Sequence, residues 1–532
     1  MIQIRADRSL IRAAAKSRRY LSIELRAPEA PPREGRLPVN IAFVIDRSGS
    51  MHGAKIAHAR QAVLQGIRTL HDGDHFAVVA YDDEVELVVP TTEATSEARA
   101  AAVAKVERIA TRGSTNLHGG SSAGCEQVAA KLTSEAVGRC LLLTDGLANA
   151  GVTDHDEIVR QCAGWRDRRV VTTTFGLGAG FDEELLRRMS DAGGGNFQFI
   201  ESEAQIADCV ASEVGEALAT TVREGVLVVD AGDGAVVESL NDFPCRQEGA
   251  TWRIAFGSLF GGQSITQVLC VTFPQGEPGQ TRDVTVRVED QDGALAEARG
   301  AARFTCADHA ANDAQPRDRV VDRQAATLFV ARAERDALER NRRRDFQGAR
   351  EVLEACAARI QAYAGDDAEL QSLVARLERQ ARLLGRPVSS VLSKTLYSES
   401  YLTLKSRVVR AQRIAAEARA RGSTVPTEWD VREAVERALQ ELARVSPEVL
   451  HSIDLTAIDI HAPLGPVTHL DPGGCMLDLL RDASGRFELR LEAPDLCPAC
   501  RSVVLAAGVA PDDLQRVVLA LRMLGTPSGV VH

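Results

Sequence analysis

Three oxygen-bearing side chains stand at alternate positions directly after an apolar run. The segment 41–51 reads IAFVIDRSGSM, and the side chains are those of Asp46, Ser48 and Ser50. Alternation along a tight turn allows their oxygens to converge on one point. One carboxylate and two hydroxyls are hard ligands that suit Mg²⁺, because this ion takes octahedral oxygen geometry and keeps some of its waters. The segment therefore predicts a divalent-cation site.

Two later segments supply groups that such a site still lacks. Thr115, in the sequence Gly-Ser-Thr-Asn, offers a hydroxyl at a predicted helix start. Asp145 offers a second carboxylate at the end of the apolar run LLLTDG. The predicted donor set is thus Asp46, Ser48, Ser50, Thr115 and Asp145.

The elements that must position these residues alternate in type. Between Val39 and Ala217, apolar strand patterns are separated by helical patterns. Such alternation predicts a doubly wound, mostly parallel sheet with helices on both faces. Ligand sites in these sheets lie beyond the carboxyl ends of the strands. Asp46 and Asp145 both follow predicted strand ends, which supports the same site independently.

The five donor positions, in this order, resemble the metal-ion-dependent adhesion site of the von Willebrand factor A (VWA) domain, in a complete form and of bacterial type. The resemblance covers about residues 39–217. It implies that the two serines and the threonine bind the metal directly, that the aspartates often act through water, and that a partner's carboxylate completes the shell. The implied metal is Mg²⁺, or else Mn²⁺ or Ca²⁺. The alternative is a loop of small polar residues without a ligand.

Length and changes of pattern predict several domains. A chain of 532 residues is too long for one core. The predicted fold class is multi-domain α/β, with the doubly wound sheet inserted in or next to a β-sandwich, then a helical region and a small mixed α/β C-terminal domain. Similar bacterial proteins and the inter-alpha-inhibitor heavy chains share the insertion. The predicted parts are 1–37 (extended, joining the sandwich), 38–217 (VWA), 218–306 (β-sandwich), 316–421 (helical) and 423–532 (C-terminal).

Two local patterns sharpen this division. Asp233-Gly234 and Asp292-Gly293 are dipeptides typical of β-hairpin turns, so both predict hairpins in the sandwich. The segment 397–407 concentrates Ser, Tyr and charge, and it is interpreted as a buried connector that packs its tyrosines, with a contact segment as the alternative.

The C-terminal region carries a second candidate site. Cys497 and Cys500 form a CxxC pair, with Cys475, His469 and His461 upstream. Structural zinc, a redox pair and reduced structural thiols all remain open, because the intervals are long and no second CxxC exists.

The composition indicates which classes of partner and which cellular compartment to expect. A net charge of −11 argues against nucleic acid or an anionic membrane as the main partner. No apolar run of about 18 residues is present, and the N-terminus lacks an apolar signal core. Eleven scattered cysteines fit a reducing compartment, so we expect a cytoplasmic protein.

The sequence gives little support for an enzymatic function. The sequence contains neither a Walker A lysine motif nor HExxH, and the GxSxG letters at 120–124 lack the strand that a nucleophile elbow needs. We therefore expect a non-enzymatic protein that captures a partner's carboxylate through its metal. The first alternative is an adaptor subunit of an AAA+ ATPase machine of the chelatase or MoxR-like kind. The less favoured one is an enzyme that uses the C-terminal cysteines.

Overall fold

The computed structural model describes residues 2–30, 36–200 and 205–406, and the backbone of four strands within 467–509. The chain divides into two compact units, Met1–Arg407 and Val408–His532.

The first strands of the larger unit lie before the predicted VWA domain. They are β1 (Ile2–Ala6), β2 (Leu10–Arg12) and β3 (Ser17–Arg26). Toward its end β3 alternates buried and exposed residues, as expected for a strand with one face on a core.

Six strands then form the sheet that the alternating pattern predicts. They are β4 (Val39–Asp46), β5 (His75–Tyr81), β6 (Val85–Glu93), β7 (Val137–Thr144), β8 (Val170–Leu177) and β9 (Gly194–Ile200). Their order is β6-β5-β4-β7-β8-β9, and all neighbours are parallel except β5 and β6. Every residue of β4, β7 and β8 is buried, because helices cover both faces of the sheet.

Among the residues that the structure describes, six helices and one short 3₁₀ turn at Gly49–Met51 accompany this sheet. The helices are α1 (Ala54–Thr69), α2 (Ser96–Val106), α3 (Leu117–Ala129), α4 (His155–Asp167), α5 (Glu183–Gly193) and α6 (Ile206–Leu218). Helices α1, α2 and α6 share one core with Phe43 of β4. Helix α3 packs on the opposite face, where Gly124 lies against Val44. The predicted doubly wound parallel sheet is thereby confirmed.

The chain next forms seven strands that pair with the first three. They are β10 (Thr220–Asp230), β11 (Val236–Ser239), β12 (Cys245–Glu248), β13 (Thr251–Phe260), β14 (Ser264–Phe273), β15 (Thr281–Glu289) and β16 (Arg299–Ala307). One sheet has the order β1-β3-β14-β11 and the other β12-β13-β10-β15-β16-β2. Both sheets contribute to one hydrophobic core, for example through Leu21 and Leu269 from the first and Leu227 and Ile254 from the second.

The predicted VWA segment is inserted in the sequence between strands of these two sheets. The chain leaves them after β3 and returns at β10, and β3 pairs with β14 along ten residues from Ser17 to Arg26. The hairpin predicted at Asp233-Gly234 is wrong, because the flanking strands β10 and β11 belong to different sheets. Asp292-Gly293 does lie between the antiparallel pair β15 and β16. The β-sandwich class assigned to 218–306 stays a prediction.

Helices follow the two sheets. They are α7 (His309–Ala314), α8 (Arg319–Arg342), α9 (Phe346–Ala364), α10 (Ala368–Leu384) and α11 (Ser390–Leu404). The segment interpreted as a connector is largely helix α11, and its Tyr397 and Tyr401 are buried as predicted. The rest of the predicted helical region, 407–421, lies outside the described residues. None of the helices in the described ranges is long and apolar enough to cross a bilayer.

The C-terminal unit contains an antiparallel sheet. Its strands, in spatial order, are β17 (Val467–Leu470), β18 (Met476–Arg481), β19 (Phe487–Glu492) and β20 (Ser502–Val509). Cys475, Cys497 and Cys500 lie outside the described residues, as does His461. His469 lies in β17, of which only the backbone is described. The zinc hypothesis and the mixed α/β assignment therefore stay predictions.

Candidate metal site

Two adjacent strands bring the predicted aspartates to one edge of the VWA sheet. Strands β4 and β7 are parallel neighbours, with Ile45 opposite Leu143. Asp46 ends β4 and Asp145 directly follows β7, so both carboxylates lie where the carboxyl ends of the strands meet. This is the edge at which doubly wound sheets bind ligands.

Asp46 is fully buried and held at both oxygens. Its Oδ1 accepts a hydrogen bond from the Ser48 main-chain N–H at 2.8 Å, and its Oδ2 accepts one from Thr144 Oγ1 at 2.6 Å. Burial raises the pKa of Asp46 to about 6, although the bonds from Thr144 and Ser48 oppose the rise. An ionised Asp46 therefore gains from a nearby cation.

The two serine hydroxyls join Asp46 to Asp145 through a chain of oxygens. Ser48 Oγ lies 3.1 Å from Ser50 Oγ, and Ser50 Oγ donates to Asp145 Oδ1 at 2.6 Å. Ser48 is buried, whereas Ser50 is exposed. The chain of oxygens thus begins inside the sheet and opens to solvent at Ser50.

Thr115 reaches the same group from the start of α3. It is 3% exposed, and its main-chain N–H donates to Asn149 Oδ1 at 2.8 Å. A Cβ placed on Gly146 would stand 3.1 Å from Thr115 Oγ1 and 3.7 Å from Ser50 Oγ. Both hydroxyls therefore flank Gly146, and the absence of a side chain there leaves them room. The structure links Asp46, Ser48, Ser50 and Asp145 through hydrogen bonds, and it places Thr115 Oγ1 beside Gly146.

A lysine that the sequence analysis did not select also belongs to this group. Lys55 Nζ donates to Asp145 Oδ2 at 2.5 Å and to the Ser50 carbonyl at 3.4 Å. Lys55 lies in the first turn of α1, and its side chain is 29% exposed. The only sequence signal was its place nine residues after Asp46, at the start of the following helix.

The donor set fits a hard divalent ion. Two carboxylates and three hydroxyls are all oxygen donors, which Mg²⁺ prefers. The Lys55 ammonium pairs with Asp145, so an incoming ion would compete with it for that carboxylate. In the described ranges, no three His, Cys, Asp or Glu side chains cluster in a way that would hold a metal. The candidate site is of a different kind, because neutral hydroxyls supply most of its donors.

An ion-pair network around the buried Asp82 ties two of the site loops together. Arg47 Nε and Arg112 Nε both donate to Asp82 Oδ2, at 2.8 and 2.6 Å. The Asp82 carbonyl accepts from the Asn116 main-chain N–H at 2.7 Å. Burial alone would raise the pKa of Asp82, but hydrogen bonds from Arg112, the Glu84 main chain and Arg47 bring it below its usual value. The loops that carry Ser48 and Thr115 are therefore anchored to one charged side chain.

Comparison with known proteins identifies the class of this domain. Residues 40–211 match the von Willebrand factor type A domain. The chain therefore contains a VWA domain, as the resemblance predicted.

The relatives include bacterial proteins and animal inter-alpha-trypsin inhibitor heavy chains. The chain is 26% identical to the Synechocystis protein sll0103 over 298 residues, which cover 54% of this chain and 69% of that protein. It is 27% identical to the Escherichia coli protein YfbK over 216 residues, 39% of this chain and 36% of YfbK. Human inter-alpha-trypsin inhibitor heavy chain H1 is 31% identical over 177 residues, and the match spans 19% of that protein.

One solved structure extends the similarity beyond the VWA domain. The von Willebrand factor type A protein from Catenulispora acidiphila superposes with a TM-score of 0.59 at 19% identity. The superposition covers 77% of this chain and 97% of that one. Because this share exceeds the range 40–211, the common fold includes elements outside the VWA domain.

Proposed function

We propose that the VWA domain binds one Mg²⁺ ion and uses it to capture an acidic side chain of a partner protein. Ser48, Ser50 and Thr115 would hold the ion directly, and Asp46 and Asp145 would support it, in part through water. Mn²⁺ or Ca²⁺ would occupy the same donors. One observation supports the proposal: Asp46 and Asp145 lie at the carboxyl ends of two adjacent strands, and Ser50 Oγ donates to Asp145 Oδ1 at 2.6 Å.

The kind of ligation favours capture over catalysis. Hydroxyls bring no charge, so an ion held mainly by Ser and Thr stays strongly electrophilic. Bound there, such an ion would attract the carboxylate of a partner. VWA domains are typically protein-interaction or scaffold modules, which agrees with this reading.

The surface beside the site offers a partner an apolar contact. Leu147 lies two residues after Asp145, and it is 54% exposed. Ser50, which donates a hydrogen bond to Asp145, is also exposed. A partner whose acidic residue has an apolar neighbour would therefore satisfy both features.

We also propose that the protein resides in a reducing cellular compartment. Eight cysteines fall in the described ranges, and all of them are free thiols. Disulfides are rare where glutathione and thioredoxin keep thiols reduced, so the cytoplasm is the proposed compartment.

Metal binding is the first test. We would titrate the metal-free full chain with Mg²⁺ in a calorimeter and compare Thr115→Ala with Ser122→Ala. Ser122 lies on α3 near Thr115, but its hydroxyl only donates to the His118 carbonyl. We expect wild type and Ser122→Ala to bind equally and Thr115→Ala to bind at least about tenfold more weakly. Equal binding by all three proteins, or none by wild type, would overturn the proposal.

Partner capture is the second test. Wild type with Mg²⁺, wild type with chelator, Asp46→Ala and Leu147→Ser would each serve as bait in native lysate. We expect a specific partner only with metal-loaded wild type, and we expect Leu147→Ser to lose it while still binding Mg²⁺. An AAA+ ATPase as that partner would identify the adaptor role. The same proteins in all four samples would contradict metal-dependent capture.

A further inference from the structure

The candidate donor Thr115 lies in a connecting segment rather than at a strand end. The other candidate donors end β4 or closely follow β4 or β7. Thr115 instead lies between α2, which ends at Val106, and α3, which begins at Leu117. Its place at the site therefore depends on the bonds that this segment makes to other loops.

The main chain on both sides of Thr115 is bound to the loops after β4 and β5. The Gly113 carbonyl accepts a hydrogen bond from the Gly49 N–H at 3.2 Å, and the Asn116 N–H donates to the Asp82 carbonyl at 2.7 Å. These bonds join main-chain groups, so they fix the path of the segment but not the orientation of the peptide groups of Thr115 itself.

Asn149 is the residue that holds Thr115. Its Oδ1 accepts a hydrogen bond from the Thr115 main-chain N–H at 2.8 Å. The main-chain N–H groups of Asn149 and Ala150 both donate to the Thr115 carbonyl at 3.2 Å. Both main-chain polar groups of Thr115 are thus bonded to one short stretch of the loop that begins with Asp145. Asn149 therefore links two of the candidate donors, Thr115 and Asp145.

The bond from Thr115 to Asn149 is not needed to start helix α3. Asn116 caps this helix, because its side chain accepts a hydrogen bond from the Gly119 N–H at 3.0 Å. Asn149 is exposed, so its side chain adds little to the core. A single hydrogen bond of this kind contributes only about 0.5–1.5 kcal/mol to stability. Its main consequence is consequently the position of Thr115.

The position of a donor matters more for Mg²⁺ than for a larger ion. Mg²⁺ requires near-ideal octahedral geometry with oxygens at about 2.0–2.1 Å, whereas Ca²⁺ accepts about six to eight oxygens at about 2.3–2.6 Å in flexible arrangements. A hydroxyl that is held in place therefore favours Mg²⁺. A hydroxyl that can shift by a few tenths of an ångström loses that preference.

We propose that Asn149 is a positioning residue that fixes the Thr115 hydroxyl and thereby makes the site selective for Mg²⁺ over Ca²⁺. This role rests on the proposed function, because it requires that the candidate donors bind a divalent ion. Without the Asn149 acceptor, the Thr115 N–H can turn toward water, and the hydroxyl moves with its main chain. The loosened site then loses more affinity for Mg²⁺ than for Ca²⁺.

The experiment titrates the metal-free full chain with Mg²⁺ and, separately, with Ca²⁺ in a calorimeter. It compares wild type, Asn149→Ala and the matched control Asp154→Ala. Asp154 Oδ1 also accepts a main-chain N–H at 2.8 Å, but from Glu157 at the start of α4. We expect wild type and Asp154→Ala to prefer Mg²⁺ to the same degree. In Asn149→Ala, Mg²⁺ affinity should fall at least about tenfold and Ca²⁺ affinity at most about threefold.

Asn149→Asp tests the acceptor itself. This variant keeps an oxygen for the Thr115 N–H, and its added charge should strengthen the binding of both ions alike. The ratio of the two affinities should therefore match that of wild type. Urea denaturation in chelator should show similar losses of stability in Asn149→Ala and Asp154→Ala, which separates an effect on position from an effect on the fold.

Circular dichroism would establish that Asn149→Ala is folded. Should it not fold, Asn149→Ser is the second variant, because its hydroxyl is too short to reach the Thr115 N–H, and the same loss of Mg²⁺ preference is expected. Three results would overturn the positioning role: no Mg²⁺ preference in wild type, an equal fall of both affinities without Asn149, or an altered ratio in Asn149→Asp. If wild type binds neither ion, the proposed function itself is wrong, and this role with it.

Discussion

The ammonium of Lys394 on α11 donates a hydrogen bond to the main-chain carbonyl of Phe181 at 2.6 Å. It also lies over the Phe181 ring, 4.0 Å from its centroid. Phe181 belongs to the loop between β8 and α5, and the preceding residue, Gly180, packs against the carbonyl of Asp145. One loop therefore lies between the helical region and a carboxylate of the metal site.

Replacing Lys394 should weaken both the fold and the metal site. In Lys394→Met the Phe181 carbonyl loses its donor, while Glu183 keeps Arg342 as a partner. We expect the free energy of unfolding to fall by about 1–3 kcal/mol, as for the loss of a buried charged hydrogen bond. On the proposed function, Mg²⁺ affinity should also fall several-fold.

Urea denaturation and Mg²⁺ titration would measure these effects, with Lys105→Met as the control. Lys105 is an exposed lysine on α2, so its loss should change neither quantity. Normal Mg²⁺ affinity in a destabilised Lys394→Met would show that the loop does not influence Asp145.

Gly180 provides a sharper test of the same loop. A Cβ at this position would stand 2.7 Å from the Asp145 carbonyl oxygen. That oxygen belongs to the main chain, so it cannot move aside as a flexible side chain could. Gly180→Ala should therefore displace Asp145 and lower Mg²⁺ affinity by about tenfold or more. In Gly164→Ala, on helix α4, the new Cβ meets nothing within 4 Å. That control should keep wild-type affinity and gain up to about 1 kcal/mol of stability, because alanine is the better helix former. Equal Mg²⁺ affinities in the two variants would contradict the displacement.

The position of Asp46 and Asp145 at one sheet edge was predictable because two local rules act together. The apolar run before Asp46 marks a buried strand, and parallel strands bring Asp46 and Asp145 to one edge. The strand pairing on either side of Asp233-Gly234 was not predictable in this way. A dipeptide determines a local turn, whereas the choice between two sheets depends on long-range pairing, here of β11 with β14. Lys55 was missed because a lysine in the first turn of a helix usually faces water, and only the fold directs it to Asp145.

Lys55 should compete with the metal for Asp145. Its ammonium occupies Asp145 Oδ2, and a divalent ion nearby would repel it. We expect Lys55→Gln to bind Mg²⁺ several-fold more tightly than wild type, a modest gain because the lysine is partly exposed and screened. Lys131→Gln removes an exposed lysine after α3 and should bind as wild type does. Weaker binding by Lys55→Gln would instead mean that the lysine orients Asp145 for the ion.

The pKa of Asp46 gives the metal-free protein a defined dependence on pH. Burial raises that pKa to about 6 from its ordinary value of 3.8, so the folded state holds a proton more tightly than the unfolded chain. The stability that this proton contributes is fully present below pH 3.8 and is lost as the pH rises through about 6. Asp46→Asn carries no charge at any pH. In chelator we therefore expect it to be more stable than wild type at neutral pH, by about 1–3 kcal/mol, with the difference vanishing in acid.

Urea denaturation of both proteins between pH 4 and pH 8 would measure this difference directly. With saturating Mg²⁺ at neutral pH the order should reverse, because the ion stabilises only the wild-type carboxylate and ligand binding adds to the free energy of unfolding. A stability difference that does not change with pH would show that Asp46 is ionised equally in the folded and unfolded states. In that case its hydrogen bonds from Ser48 and Thr144 would balance the cost of burial without a metal.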